Sequence, residues 1–253
     1  INIIFCAIYK GNTMAIVEWE KDESVAIVKL NNGGNPQNLA FADALNKTLE
    51  EIIEDKSTTA MVLTSSDSKI FSTGVDVDWV TSQMQENNVR KVKDFMLGMN
   101  SVFATLLPYP IPTIAAINGH AFGNGAILSC ACDFRFMRSD RGYFCFPEVD
   151  VGIPFLPGMI AFIRKAIPEY KFNEICLSGR RVTAPELEEH NIIEKACPNI
   201  DELMSESIAY AKTFVKKRGI FAELKKRLYP HIIEIMENKD IAVLESSTLF
   251  VKD

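Results

Sequence analysis

An α/β core followed by a helical C-terminal extension is the fold class this sequence predicts, and three observations predict it. Short apolar runs of strand character, Ser24–Leu30, Thr59–Thr64 and Thr113–Ile117, alternate with segments of helical period. A glycine-punctuated turn, Gly119, Gly123 and Gly125, leads from the third run into an apolar helical stretch, Ala126–Cys132. Beyond Asp201 the pattern is helical. Strands alternating with helices, then helices alone, give two packed layers with an appended helical part.

Each element has its own warrant. Ala15–Glu20 and Ser24–Leu30 read as a hairpin about Glu20–Glu23, and Asn31–Asn38 (NNGGNPQN) as a turn-forming loop. From Leu39 the period is helical, with Leu45, Leu49, Ile52 and Ile53 on one face. Ser65–Val77 reads as a loop rich in Ser and Asp. Helices are expected over Val80–Gln85 and Val89–Leu106, the latter with Phe95, Met96, Met99 and Phe103 inward. Pro108, Pro110 and Pro112 break the chain before the third strand, and Asp133–Arg138 is a further strand. Met159–Ile167 reads as a short buried helix, Phe172–Leu177 and Pro185–His190 as helical turns around an SGRRVTA loop, and Ile192–Cys197 as extended. Asp201–Lys217 has an acidic first turn and ends in Lys216, Lys217 and Arg218, the charge order a helix dipole favours. Phe221–Met236 is amphipathic, with a kink expected at Pro230.

Composition bounds the function. At 253 residues, 47% hydrophobic and 24% charged, the chain fits an ordinary soluble domain with a helical addition. A formal charge of −6 argues against nucleic acid as a general partner. Six cysteines, Cys6, Cys130, Cys132, Cys145, Cys176 and Cys197, lack ligand-like pairing and read as reduced, mostly buried thiols of a cytoplasmic protein. His120, His190 and His231 are too dispersed for a metal site, so none is expected. Residues 1–13 are apolar but too short to span a bilayer, and read as a leader ahead of a natural start at Met14; no membrane role is expected. The final Val251–Lys252–Asp253 is not a peroxisomal address.

The chemistry concentrates in Asn118–Pro157. A strand, a glycine turn and a helix start place free backbone N–H groups and a positive helix end at one point, suited to a phosphate or a developing oxyanion. Glu148 follows among Phe144, Phe146, Pro147, Val149 and Val151. A carboxyl in that company is costly to keep charged, so its pKa should rise, as suits a proton-transfer base. Together these point to proton abstraction next to a carbonyl.

Four stretches resemble the crotonase (enoyl-CoA hydratase/isomerase) superfamily, from about Met14 to about Leu228. FSTGVDV at Phe71–Val77 resembles the family's FSAGADL loop, and NGHAFGNGAILSCACDFRFM at Asn118–Met137 its glycine turn. FPEVDVGIPFLPG at Phe146–Gly158 resembles its PExxxGxxP segment, and LSGRRVTAPELEEHNIIEK at Leu177–Lys195 its LTGRxxxAxEAxxxGLV stretch. The resemblance implies a ββα spiral core over 14–198 and a helical trimerisation region over 199–253, assembled as trimers or dimers of trimers. It implies an acyl-CoA substrate, no further cofactor, and an oxyanion hole from the backbone N–H groups of Val75 and Asn124, Asn124 standing where the family usually has glycine. Ser72, Thr73, Gly74, Asp76, Gly123 and Gly125 are the matching substrate- or CoA-binding positions; Asp76 also reads as a loop cap.

The family's hydratases use two carboxylates, and at the first position this chain has Ile127; the acid expected of dienoyl-CoA isomerases falls on Leu156. Glu148 alone remains, which is enough to move a double bond from Δ3 to Δ2. The EVDVGIP segment is most similar to monofunctional Δ3,Δ2-enoyl-CoA isomerases, implying a role in β-oxidation of unsaturated fatty acids. Two other classes stay open: another crotonase-fold acyl-CoA enzyme, with Asp150 positioning a water, and a non-catalytic CoA-binding subunit. Trp79, Met84, Phe95, Met96, Phe155 and Leu156 read equally as an acyl tunnel or as core. The basic runs Lys216–Arg218 and Lys225–Arg227 read equally as CoA-phosphate contacts or solvated helix ends.

Overall fold

The computed structural model describes residues 15–246; the expected leader over residues 1–13, and Cys6 within it, lie outside the described residues. The predicted hairpin is β1 (Val17–Asp22) and β2 (Val25–Leu30), and β3 (Pro36–Gln37) follows inside the expected loop. Helix α1 (Leu39–Glu54) starts at Asn38, whose side chain accepts from the Phe41 N–H, and it buries Phe41, Leu45, Leu49 and Ile52. Then come β4 (Ala60–Ser65), β5 (Ile70–Ser72), β6 (Gly74–Val75), α2 (Val77–Gln85) and α3 (Val89–Leu106). The organising stretch supplies β7 (Thr113–Ile117), β8 (His120–Phe122), α4 (Asn124–Ala131), β9 (Phe134–Arg138), β10 (Phe144–Cys145) and α5 (Glu148–Val151). Helices α6 (Pro157–Ala166), α7 (Glu169–Ser178) and α8 (Ala184–Glu189) lead to β11 (Lys195–Cys197). The helical end is α9 (Ile200–Lys212), α10 (Arg218–Leu228), α11 (Pro230–Ile235), a π-helical turn (Met236–Asp240) and α12 (Ile241–Ser246).

The main sheet has the order β1-β2-β4-β7-β9-β11, antiparallel at its first pair and parallel from β2 onward. β4 and β7 are buried along their whole length, as strands covered on both faces must be. Alternation along β4 feeds two cores: Met61 and Leu63 join the large one with α1 and α3, while Ala60 and Val62 join Leu203 and Ala211 of α9 behind the sheet. A second small sheet, β10-β8-β5, and the β3–β6 pair lie in parallel registers and carry the loops of the site. This is the expected α/β architecture with C-terminal helices.

Four details differ from the sequence-based expectations. The loop expected over Ser65–Val77 contains β5 and β6, strands of three and two residues, too short to leave a period in the sequence. Helix α9 stops at Lys212 rather than Lys217. There the Thr213 hydroxyl donates to the Tyr210 carbonyl at 2.7 Å, and the chain turns out so that Phe214 packs on Phe134 and Tyr210. Further, two of the basic residues are tied to the rest of the chain, Arg218 half-buried and Lys225 buried. Arg218 donates to the carbonyls of Ile53 and Asp55 at the end of α1, and buried Lys225 pairs with Asp133 at 2.8 Å. Neither is a solvated helix end or a free phosphate contact. Pro230 opens α11 at its first turn, so the expected kink is a break between two helices. Among the described residues no helix is long and apolar enough to cross a membrane.

Candidate active site

The site forms where β6 meets the start of α4. Gly74 has φ of +82°, and a Cβ built on it would lie 2.6 Å from the Phe122 carbonyl oxygen and 3.0 Å from the Asn124 nitrogen. Only glycine allows the two backbones this close. Gly125 is equally constrained: an added Cβ would come within 2.7 Å of Ser72. The approach brings two N–H groups together. Asn124 is the first residue of α4, so its N–H has no partner within the helix and lies at the positive end of the dipole. Just past β6, Asp76 N–H donates to Gln37 O at 2.9 Å, so the N–H of Val75, one residue earlier in extended chain, points to the opposite edge, toward α4.

Val75, Asn124 and Glu148 line one cavity of about 80 Å³, closed by Ile127 of α4 and by Phe95, Met96 and Met99 of α3, with Phe155 and Leu156 opposite. Ile127 is 2% exposed and Leu156 4%, so both positions where related chemistries would need a second acid are apolar wall. Of the residues read as tunnel or core, Phe95, Met96, Phe155 and Leu156 face this cavity; Trp79 packs edge-on against Phe95, and Met84 is exposed.

Glu148 opens α5 directly after Pro147. A Cβ on Gly123 would lie 3.3 Å from its Oε1, which places the carboxyl against the glycine turn, and its Oε2 is buried without a hydrogen-bond partner. Burial pushes the carboxyl up from its ordinary value to about 7, only partly offset by a backbone hydrogen bond. A base with that pKa is half-ionised at neutral pH and can both accept and return a proton. Asp150 lies elsewhere: it is exposed, with its carboxylate against Gly179.

The remaining predicted positions frame the site. Asp76 caps α2, accepting from Trp79 N–H at 3.0 Å and from Asn38 Nδ2 at 2.9 Å. Thr73 is exposed beside Gly34. Ser72 is buried; its hydroxyl donates to Asn35 O at 2.8 Å and accepts from Gly74 N–H and from Gln37 Nε2. The sequence reading did not single out Gln37. It is fully buried, and its Oε1 accepts from Asn124 Nδ2 at 2.6 Å, turning the Asn124 side chain toward β3 and leaving Asn124 Oδ1 buried without a partner. A single glutamine in a turn-rich loop carries no signal of such a role. Among the described residues no three His, Cys, Asp or Glu side chains are placed to hold a metal ion.

The family model described as enoyl-CoA hydratase/isomerase matches residues 20–246. The chain belongs to that family. It is 29% identical over 194 residues to the peroxisomal enoyl-CoA delta isomerase 2 of Arabidopsis thaliana, covering 74% of this chain and 81% of that one. It is 27% identical over 208 residues to the mitochondrial enoyl-CoA hydratase of Pongo abelii, covering 81% and 69%. The fold is that of the crystal structure of an enoyl-CoA hydratase from Bacillus halodurans, with a TM-score of 0.82 at 21% identity over 91% of this chain and 92% of that one.

Proposed function

We propose that the protein is a Δ3,Δ2-enoyl-CoA isomerase with Glu148 as its only proton shuttle. The observation that carries the proposal is the composition of the cavity wall: one carboxyl, Glu148, faced by Ile127 and Leu156. The Glu148 carboxylate takes a proton from C2 of a 3-enoyl thioester. The C–H electron pair moves into the C1–C2 bond, the double bond conjugates, and negative charge collects on the thioester oxygen. The N–H groups of Val75 and Asn124 stabilise that oxygen; loss of one such donor typically costs about 3 kcal/mol. Protonated Glu148 then returns the proton at C4, leaving the double bond between C2 and C3. No water enters the balance, and an apolar wall favours reprotonation over hydration. Similarity to an enoyl-CoA delta isomerase supports the same reading.

One observation favours a second reading, hydration of a 2-enoyl thioester. Asn124, which lines the same cavity as Glu148, has a buried Oδ1 without a partner, an acceptor that a water could use. Glu148→Gln tests the base in either case. The variant should lose about a thousandfold in the rate of conjugation of a 3-enoyl-CoA, followed by absorbance of the 2-enoyl thioester, while binding saturated acyl-CoA as the wild type does. Unchanged conjugation would refute the assignment of Glu148.

A further inference from the structure

The Asn124 N–H is one of the two donors assigned to the thioester oxygen, and the Asn124 side chain is a liability in that place. Only backbone is needed there, whereas a side-chain amide brings an acceptor and two donors of its own. Asn124 lines the cavity of about 80 Å³ together with Val75, whose N–H is the other donor. Released into so small a space, the amide would fill room that the thioester needs. Its oxygen would also compete for the same N–H groups.

The side chain is not released. Its Nδ2 donates to Gln37 Oε1 at 2.6 Å, and what lies behind Gln37 dictates which way both amides face. The Ser72 hydroxyl donates its one proton to Asn35 O at 2.8 Å. Its oxygen is then an acceptor only, taking Gly74 N–H at 3.1 Å and Gln37 Nε2 at 3.2 Å. Gln37 is left with Oε1 toward Asn124, so Asn124 must present Nδ2 and turn Oδ1 away. Asn35 is fixed in turn, with Nδ2 donating to Ser65 Oγ at 2.7 Å and to Phe71 O at 3.0 Å. Asn35, Gln37 and Ser72 are fully buried, so water does not compete for these bonds. The Gln37 backbone belongs to the same arrangement, since β3 pairs Gln37 with Val75. One residue thus holds the strand that carries one donor and the side chain of the residue that carries the other.

We propose that Gln37 is a positioning residue that keeps the Asn124 side chain out of the oxyanion site. It acts on binding rather than on proton transfer. A site filled part of the time by its own amide has its apparent affinity reduced by the fraction left open. The proposal deepens the functional reading and rests on its acyl-thioester part, whichever way the bound ester then reacts.

Gln37→Met keeps the length of the side chain and removes both of its bonds. Calorimetry with butanoyl-CoA, a saturated ester that cannot isomerise, should show binding weakened by about tenfold in this variant. With a 3-enoyl-CoA, KM should rise by a similar factor while kcat stays within about threefold. An Asn124→Gly background has no amide to restrain. There, Gln37→Met should change butanoyl-CoA affinity by less than about twofold relative to Asn124→Gly alone. Equal weakening in both backgrounds would overturn the proposal, because Gln37 would then act through β6 or the fold at large. A fall in kcat at unchanged KM would overturn it as well. Wild-type protein gives an independent readout. The Asn124 side-chain amide protons, followed by NMR, should exchange with solvent at least about tenfold more slowly than those of exposed Asn87, with or without butanoyl-CoA. Exchange at the exposed rate would show the amide free and overturn the proposal. Slow exchange in a wild-type protein that binds no butanoyl-CoA would instead refute the acyl-thioester reading, and this role of Gln37 with it.

Discussion

Asp133 and Glu148 are both withdrawn from water, and their surroundings treat them in opposite ways. Asp133 accepts from the Thr113 N–H at 2.9 Å, from the Thr113 hydroxyl at 3.0 Å and from Lys225 Nζ at 2.8 Å. It ties β7, β9 and α10 together, and both of its oxygens have a donor nearby. Charge-assisted hydrogen bonds of this kind offset the cost of burial. Glu148 has one oxygen without any donor, in a wall of Ile127, Phe155 and Leu156. The contrast separates a carboxylate that holds the fold from one kept ready to change its protonation. Asp240 lies between them: Oδ1 accepts from Gly158 N–H at 2.7 Å at the start of α6, Oδ2 has no partner, and burial raises the carboxyl to about 6.

If that contrast is real, removing a partner should damage the first site and removing charge should relieve the others. The largest effect belongs to Lys225→Met. It leaves Asp133 buried with only Thr113 and should destabilise the protein by about 3–5 kcal/mol in denaturant titration. A loss below about 1 kcal/mol would mean the pair is solvated. Glu148→Gln should act in the other direction. The Glu148 carboxyl is raised in the fold from 4.5 to about 7, so the folded state holds the proton more tightly. Wild-type stability is therefore greatest below the unfolded value and falls as pH rises through about 7. At pH 8 the variant should be the more stable by about 2 kcal/mol, allowing for partial exposure, with no gain at pH 4. The same titration should appear in catalysis: kcat/KM for a 3-enoyl-CoA should rise with pH to a plateau above about 7. A flat profile would detach Glu148 from the rate. The smallest effect is expected for Asp240→Asn, a gain of roughly 1 kcal/mol at pH 8 that vanishes at pH 4, read in the same titrations.

Much of the site was legible because its chemistry is written into short contiguous stretches. The glycine turn announces close backbone approach, which Gly74 and Gly125 realise against Phe122 and Ser72. The apolar frame of Glu148 was expected from Phe144, Phe146, Pro147, Val149 and Val151, but Val149 and Val151 are exposed. The cavity wall comes from Ile127, Phe95, Met96 and Met99 and from Ile153–Leu156 a few residues on. The long elements were legible for a similar reason: α1, α3 and β7 carry their period over five to eighteen residues. What escaped depends on contacts between distant segments. Gln37 is a loop residue until β3 lies beside β6 and presents it to Asn124. Lys225 reads as a surface cation until α10 crosses the end of β7 and meets Asp133.

The central claim is that one carboxylate in an apolar pocket moves a proton without admitting water. The direct measurement is to incubate the protein with a 3-enoyl-CoA in heavy-oxygen water and record both conjugated-thioester absorbance and product mass. The account predicts conjugation at unchanged mass, with no labelled hydroxyl in the product. A product that gains the mass of labelled water would contradict it, and would favour the hydration reading in which a water donates to Asn124 Oδ1.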